Sequence, residues 1–224
     1  MPRLSRTNAR PERRLLAVLL AAAAVLGAGA AFANQVEVAW ILKALAQPAP
    51  MRTDFVEVRG SAMLRTPLRL SGEYRRPDAQ TLVREVRAPY AETTTIRAGE
   101  ATIARAGKAP RRFSLSRAPE LASLQSSFGA LLAGDAQGLE RTYRLTASGT
   151  RQRWTLAMVP KDAALAARVR DITLYGQGAE LRCIETRPVK GDLQRTLLAS
   201  AARAVTPTSN AAEFERLCRA GVAR

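Results

Sequence analysis

The stretch LRTPLRLSGEYRRPDAQTLVREVRA, residues 64–88, decides the fold, because it reads as two strands joined by a turn. Leu68 and Leu70 alternate with polar residues, and this period of two places both leucines on one face of a strand. The pair Pro77-Asp78 favours a turn, since proline fixes φ and aspartate hydrogen-bonds its own backbone. A second alternation of apolar and charged residues follows over residues 82–87. The stretch predicts a hairpin with one apolar and one charged face.

The same alternation recurs along the chain, where turn sequences such as 98–100, 176–178 and 190–192 separate short strands. Apolar residues at helical spacing mark residues 34–46, 120–133 and 211–219. Sequential hairpins give an antiparallel meander that curls, and the helices are expected to cover one face. The predicted fold class is α+β, an incomplete antiparallel β-barrel of about 11 strands with a helical lid.

Charge and histidine content limit the possible functions. The 224 residues include 35 Lys and Arg, 19 Asp and Glu and no histidine, for a net charge of +16. A GC-rich genome favours arginine codons, which would explain this charge. The alternative is a surface that binds anionic lipid or glycan. The arginines alternate with aliphatic rather than aromatic residues, so nucleic acid is not an expected partner.

Catalytic chemistry finds little support in the sequence. Without histidine, Ser-His-Asp and Cys-His sites and the usual zinc sites are excluded. Asp54 with Glu57, or Glu73 with Glu85, could pair as acid and base, which leaves a hydrolase open as an alternative. We predict no enzyme, no catalytic residue, no metal site and no cofactor.

Residues 1–33 have the pattern of a secretory signal peptide. Five arginines precede an apolar segment over residues 15–31, and Ala31-Phe32-Ala33 is a small-x-small cleavage site. Cleavage between Ala33 and Asn34 is predicted, and an uncleaved membrane anchor is the competing interpretation. The remaining chain would comprise a half-barrel domain over 34–205 and a C-terminal helix and tail over 206–224.

Cys183 and Cys218 are the only two cysteines. An even number of cysteines in an exported protein suggests one disulfide, which would tie the C-terminal helix to the sheet. Two idle thiols are the alternative, because sequence alone cannot show that the Cβ atoms meet.

Several short motifs resemble a known family. Phe55-Val56-Glu57 and the run Gly72–Pro77 (GEYRRP) resemble the F-x-Q and G-x-L-W-x-(K/R)-R-P motifs of the periplasmic outer-membrane lipoprotein carriers, the LolA-like family. Residues 171–174 and 184–193 resemble the paired C-terminal strands of that family. The resemblance covers most of 34–205 and indicates a divergent LolA-related branch, since Tyr74 replaces the family tryptophan and Glu57 the glutamine.

The resemblance implies an unclosed barrel whose helical lid covers a hydrophobic cavity. Such a protein works in the Gram-negative periplasm, receives acylated lipoproteins from an inner-membrane donor and passes them to an outer-membrane acceptor. Arg76, which precedes the motif proline, would latch the lid through hydrogen bonds to its backbone; a solvated turn arginine is the alternative. A monomer without a cofactor is expected, and its cargo would be lipoprotein acyl chains or a related envelope lipid.

The candidate cargo-binding residues are apolar or aromatic side chains on alternating positions of the predicted strands. They are Phe55, Leu64, Leu68, Leu70, Tyr74, Leu82, Val86, Ile96, Trp154, Leu156 and Met158. The lid candidates are Leu124, Phe128, Leu131 and Leu132. Each of these could instead be ordinary core. The alternative function is a non-transporting envelope interaction module that docks a partner or an anionic glycan through its basic face.

Overall fold

An eleven-stranded antiparallel sheet forms the protein, in a computed structural model that describes residues 35–59, 67–115 and 129–219. All but Gln35 belong to one compact unit, Val36–Arg224. The strands are β1 (Met51–Arg59), β2 (Leu68–Asp78), β3 (Thr81–Ala88), β4 (Glu92–Arg97), β5 (Glu100–Arg105), β6 (Lys108–Ser114), β7 (Tyr143–Thr150), β8 (Arg153–Pro160), β9 (Val169–Gln177), β10 (Glu180–Pro188) and β11 (Gln194–Leu198).

The strand order is β6-β5-β4-β3-β2-β1-β11-β10-β9-β8-β7, and every pairing is antiparallel. The first and last strands meet in the middle, while β6 and β7 form the two edges of the sheet. The sheet is therefore open, and the predicted α+β class with an incomplete antiparallel barrel is confirmed.

Helices accompany the sheet on both faces. They are α1 (Val38–Leu45), α2 (Ala136–Thr142), α3 (Ala163–Ala166), α4 (Ala199–Arg203) and α5 (Ala211–Arg219), and residues 129–133 are also helical. Short polar side chains begin three of them. Asp135 accepts a hydrogen bond from the Gly138 N–H at 2.8 Å, Asp162 accepts one from the Leu165 N–H at 2.9 Å, and Asn210 accepts one from the Glu213 N–H at 3.0 Å. These side chains satisfy backbone donors that a helix start leaves without partners.

One face of the sheet, here called the inner face, carries helix α1. Ile41, Leu42 and Leu45 of α1 pack with Trp154 and Leu156 of β8 in the largest buried cluster. A second cluster on the same face joins apolar side chains of the neighbouring strands: Phe55, Leu70, Val86 and Leu198. The period-two alternation of the strands thus has its predicted consequence, a sheet face made of aliphatic and aromatic side chains.

The opposite, outer face is closed by helices α4 and α5. Cys183 of β10 and Cys218 of α5 form a disulfide with an S–S distance of 2.08 Å. Around it pack Leu197, Phe214 and Leu217. The disulfide therefore fastens the C-terminal helix to the sheet, which is the pairing that the sequence left open.

A buried carboxylate lies beside the disulfide on the outer face. Glu185 accepts hydrogen bonds from Arg195 Nε at 2.6 Å and from the Tyr175 hydroxyl at 2.9 Å. Burial, together with the Glu185 charge, raises the pKa of Tyr175 to about 12. The tyrosine therefore keeps its proton at neutral pH and serves as a donor to Glu185.

Some boundaries differ from what the sequence favours. Helix α1 spans Val38–Leu45, although apolar residues at helical spacing mark residues 34–46. Strand β6 begins at Lys108, although Gly107 and Pro110 favour a turn there. At the other end of the chain, β11 stops at Leu198 and α4 begins directly after it. Ala199 has φ 48°, a left-handed conformation that makes the abrupt change of direction. Alanines have no periodic signal of their own, so the sequence did not predict this helix.

Glycine 176 allows Trp154 to lie flat against β9. A Cβ atom at position 176 would overlap the Trp154 indole ring, whose N–H donates to the Gly178 carbonyl at 2.9 Å. We expect Gly176→Ala to displace the ring and to lower the free energy of unfolding by about 1–3 kcal/mol. Urea denaturation measures the loss, and tryptophan emission in a Trp40→Phe background reports the environment of Trp154 alone.

Gly129→Ala is the control for this prediction, because a Cβ atom at position 129 meets nothing within 4 Å. Its helical position is expected to leave stability unchanged or raised by up to about 1 kcal/mol. A Gly176→Ala variant with the stability and emission of the parent would contradict the role assigned to this glycine.

Candidate functional site

The register of the strands places the described cargo candidates on the inner face. Residues that are Cα partners across neighbouring strands lie on the same face of a sheet. One such row runs from Leu70 through Glu57, Thr196, Ile184 and Leu174 to Leu156. Side chains two positions apart in a strand also share a face. The same face therefore carries Phe55, Leu68, Tyr74, Leu82, Val86, Ile96, Trp154 and Met158. Their shared face agrees with the prediction, while their role in cargo binding stays a prediction.

Many of these side chains belong to the packed interior. Trp154, Leu156 and Met158 lie under helix α1, and Phe55 with Leu70 is almost completely buried. Leu68, Leu82 and Ile96 are half-buried. Of the remaining candidates, Leu64, Leu124 and Phe128 lie outside the described residues, as does the leader over residues 1–33.

A cavity of about 460 Å³ opens beside this packed interior. Five segments surround it: the end of α1, the start of β1, the helical residues 129–133, the start of β10 and the junction of β11 with α4. Its walls are Leu45, Gln47, Met51, Arg52, Thr53, Leu131, Leu132, Gln177, Ala179, Glu180, Leu181, Leu198 and Ala199. The volume lies within the range of about 300–1,000 Å³ that is usual for ligand sites, and the walls combine aliphatic side chains with a few polar ones.

The lid candidates Leu131 and Leu132 form one wall of this cavity. Their helical segment ends at Gly134, whose φ of 69° reverses the chain. A Cβ atom at position 134 would lie 3.2 Å from the Cβ atom of Ala46, so only glycine lets this turn approach the end of α1 so closely. The described end of the predicted lid is therefore fastened beside the cavity.

Arg76 is connected to the same region by hydrogen bonds through the backbone of Gln47. Its Nη1 donates to the Gln47 carbonyl at 3.1 Å, and the Gln47 N–H donates in turn to the Leu132 carbonyl at 3.1 Å. The resemblance implied a direct hydrogen bond from Arg76 to the lid backbone. The bond that the structure describes instead reaches the segment after α1, and Gln47 passes the contact on to Leu132.

A charged cluster interrupts the apolar inner face. The Glu57 side chain, only 5% exposed, accepts a hydrogen bond from Arg84 Nη2 at 3.0 Å and also pairs with Arg59. The Arg84 guanidinium lies 4.8 Å from the centre of the Phe55 ring. Burial raises the pKa of Tyr74, against the opposing effect of Arg84. The phenol next to this cluster is therefore uncharged at neutral pH.

Sequence reasoning did not assemble this cluster or the cavity. Glu57 stood out as a departure from the family glutamine and as a possible partner of Asp54, but nothing in the sequence connected it with Arg84, 27 positions away. The cavity walls come from segments between Leu45 and Ala199 that share no repeat. Two signals were available, the alternation in β1 and in β3, but a signal within a strand does not give the register between strands.

Within residues 35–59, 67–115 and 129–219, no three acidic or cysteine side chains come together so that they could hold a metal ion. In the same part of the chain, no helix has the length and apolar character needed to cross a membrane.

Comparison with known proteins adds a family assignment. The family model described as outer membrane lipoprotein carrier protein LolA-like matches residues 30–221. None of the curated proteins matches the chain significantly.

Among solved structures, a LolA superfamily protein from Nitrosomonas europaea is 11% identical, with 73% of this chain and 91% of that chain covered and a TM-score of 0.37. The MucA/MucB complex of Pseudomonas aeruginosa is 17% identical, with 80% and 62% covered and a TM-score of 0.37, so the chain spans less than two thirds of that protein. LprF from Mycobacterium bovis is 15% identical, with 79% and 98% covered and a TM-score of 0.34.

Proposed function

We propose that this chain carries acyl chains of lipoproteins or of a related envelope lipid, because it belongs to the family of LolA-like outer membrane lipoprotein carrier proteins. The bound chains would occupy the cavity between α1, residues 129–133 and the sheet. The same proposal makes the protein a binder without catalytic activity and without a cofactor.

The cavity of about 460 Å³ is the observation that carries this proposal. Leu45, Leu131, Leu132, Leu181 and Leu198 give it aliphatic walls from four separate segments. Each buried CH₂ group of an acyl chain contributes about 0.8 kcal/mol to binding. Such walls therefore suit a guest that is mostly hydrocarbon.

A carrier must also release its guest, and the mouth of the cavity suits that task. Residues 129–133 are held by the hydrogen bond from the Gln47 N–H to the Leu132 carbonyl and by the buried side chains of Leu131 and Leu132. A typical intramolecular hydrogen bond contributes only about 0.5–1.5 kcal/mol, so exposing the two leucines is the larger cost of opening. An acyl chain that enters the cavity would cover these leucines again and so offset that cost. Arg76, through Gln47, would then adjust how readily residues 129–133 move.

The proposal extends to location and partners. Export behind the signal peptide over residues 1–33 would place the protein in the Gram-negative periplasm, between an inner-membrane donor and an outer-membrane acceptor. The disulfide supports this, because disulfides persist in oxidising compartments. Native mass spectrometry of protein prepared gently from periplasm tests this location. The expected mass is that of residues 34–224, less two hydrogens for the disulfide, plus that of a bound lipid. An uncleaved leader would contradict the location.

Leu132→Glu tests the cavity itself. A carboxylate on the wall must lose water or be driven away when an acyl chain enters, so the affinity for a fluorescent fatty-acid probe should fall at least about tenfold. Fluorescence titration of the mature protein measures the affinity, and circular dichroism shows that the fold persists.

Leu193→Glu is the matched control for Leu132→Glu. Leu193 is half-buried in the turn before β11 and is not among the residues that line the cavity. The added charge is the same, but probe affinity should stay within about twofold of the parent. Equal affinity of Leu132→Glu and the parent would show that acyl chains do not use this cavity.

A second candidate function is the docking of an anionic glycan or acidic partner without lipid transport. One observation favours it: a cavity of about 340 Å³ at edge strand β6 is lined by Arg105, Lys108, Arg111 and Arg112. Surface charges are screened by salt, whereas apolar contacts are not. Binding that is lost at 1 M salt would favour docking, and binding that survives would favour acyl carriage.

A further inference from the structure

The cluster of Glu57, Arg59 and Arg84 carries an unbalanced charge on the inner face. Two guanidinium groups share a single buried carboxylate, which leaves one positive charge in excess. On the outer face of the same strands, the guanidinium groups of Arg52, Arg75 and Arg87 share two carboxylates, Glu73 and Glu85, but all three arginine side chains are half exposed or more exposed than that. The inner face therefore differs in that its excess charge includes a largely buried guanidinium, that of Arg84.

Folding alone does not explain this cluster. Taking charges out of water costs more than their mutual attraction usually returns, and apolar side chains of similar volume are often equally stable or better. Glu57 and Arg84 occupy a face on which Phe55, Leu70 and Val86 already pack together. A charged pair among such neighbours points to a use other than stability.

Arg84 keeps the properties that an anion site needs. Its side chain is 17% exposed, so it is reachable from the inner face. Burial lowers the pKa of Arg84, but Tyr74 and Glu57 raise it by more than burial lowers it. The pKa is therefore above its usual value, and the guanidinium stays charged. A guanidinium has five N–H donors in a planar fork, and the hydrogen bonds from Arg84 to Glu57 and Tyr74 use only part of it.

The cluster also lies close to the proposed acyl cavity. Thr53 lines that cavity, and Thr53, Tyr74 and Arg84 are successive Cα partners across β1, β2 and β3. Neighbouring strands are about 4.8 Å apart, which puts the Arg84 backbone about 10 Å from Thr53. The head of a lipid whose chains fill the cavity can therefore reach the guanidinium.

We infer that Arg84, assisted by Arg59, binds an anionic phosphate or carboxylate group at the polar head of the acyl cargo. Glu57 is the internal counter-charge with which that anion competes for the guanidinium. This inference rests on the proposed carrier function, and it narrows the cargo to acyl lipids with a negative head. A free phosphate ion has the same chemistry, so the experiment separates the two sources.

Two lipids with identical fluorescent acyl chains provide the test: phosphatidic acid and diacylglycerol, which lacks the phosphate. Hydrogen bonds to charged groups are strong enough that the mature protein should bind phosphatidic acid at least about tenfold more tightly. Arg84→Gln should reduce this preference to about twofold and leave diacylglycerol affinity unchanged. Arg87→Gln, on the outer face of the same strand, should keep the full preference.

Glu57→Gln supplies a test that leaves Arg84 in place, should Arg84→Gln fail to fold. Removing the competing carboxylate should strengthen the preference for phosphatidic acid by severalfold. Millimolar inorganic phosphate should not displace phosphatidic acid, and if it does, the site binds free phosphate rather than a lipid head.

Equal binding of both lipids by the parent protein, a preference that survives Arg84→Gln, or a preference that Glu57→Gln weakens would each overturn the inference. In those cases acyl binding, and with it the carrier function, still stands. If neither lipid binds to the parent protein, the carrier function itself fails.

Discussion

Replacing both cysteines, with Cys183→Ala and Cys218→Ala, is expected to lower the free energy of unfolding by about 3–4 kcal/mol. The disulfide closes a loop over a sequence separation of 35 residues, and a cross-link of that length removes much entropy from the unfolded chain. Alanine avoids burying a new hydroxyl, since both cysteines are almost completely buried. Urea denaturation of the mature protein measures the difference.

Reduction of the parent protein by dithiothreitol is the control, because it breaks the same bond without changing a residue. Both samples should lose similar stability, and helix α5, which the disulfide holds, should lose protection from hydrogen exchange first. Since the disulfide is on the outer face, the folded variant should bind the acyl probe within about twofold of the parent. A loss below about 1 kcal/mol would show that packing of Phe214 and Leu217 alone holds the helix.

Alternation within strands made much of the fold predictable. Segments such as residues 153–159 alternate so regularly that both the strand and its buried side were expected. Helix α5 was expected at residues 211–219, which are its bounds in the structure. The family was also predicted, from Phe55-Val56-Glu57 and Gly72–Pro77, and the family match over residues 30–221 confirms it.

The sequence did not predict which part of the inner face is packed core and which part borders the cavity. Trp154 and Leu45 are both large apolar residues at periodic positions, but Trp154 is completely buried and Leu45 borders the cavity. The difference depends on which helix covers which strand, and no local pattern encodes that. Periodicity identifies an apolar face, whereas tertiary packing determines where it is left open.

The backbone atoms that accept side-chain hydrogen bonds could not be predicted from the sequence either. The family pattern predicts Arg76 as a latch, a role that stays a prediction; its acceptor in the structure is the Gln47 carbonyl, which every residue type could have supplied. Side-chain chemistry can be read from a sequence, while the position of a carbonyl follows only from the folded chain. The link from Arg76 through Gln47 to Leu132 therefore had to come from the structure.

The two faces of the sheet differ in what holds them together. On the outer face, a disulfide and the Glu185 cluster fix α5 to β10 and β11. On the inner face, residues 129–133 border a cavity and are held by the Gln47 hydrogen bond and by the buried side chains of Leu131 and Leu132. Stability and binding are thus expected to respond to different substitutions, and the second large prediction uses this separation.

Arg195→Ala is expected to lower the free energy of unfolding by about 3 kcal/mol, the lower end of the cost of leaving a buried charge without its partner. The Glu185 side chain is 4% exposed, and Arg195 is its nearest cation, at 2.6 Å. The Tyr175 hydroxyl and Arg219, at 3.8 Å, would remain as weaker partners, which is why the larger costs are not expected. Urea denaturation at neutral pH gives the value.

Arg187→Ala is the matched control, because it removes the same side chain from an exposed ion pair. Arg187 lies 3.0 Å from Asp171 and is half exposed, so its loss should cost at most about 1 kcal/mol. Both variants should bind the acyl probe like the parent, since neither residue lines the inner-face cavity. If Arg195→Ala were no more costly than Arg187→Ala, the Glu185 cluster would be reached by water, and the outer face would depend on its disulfide and apolar packing alone.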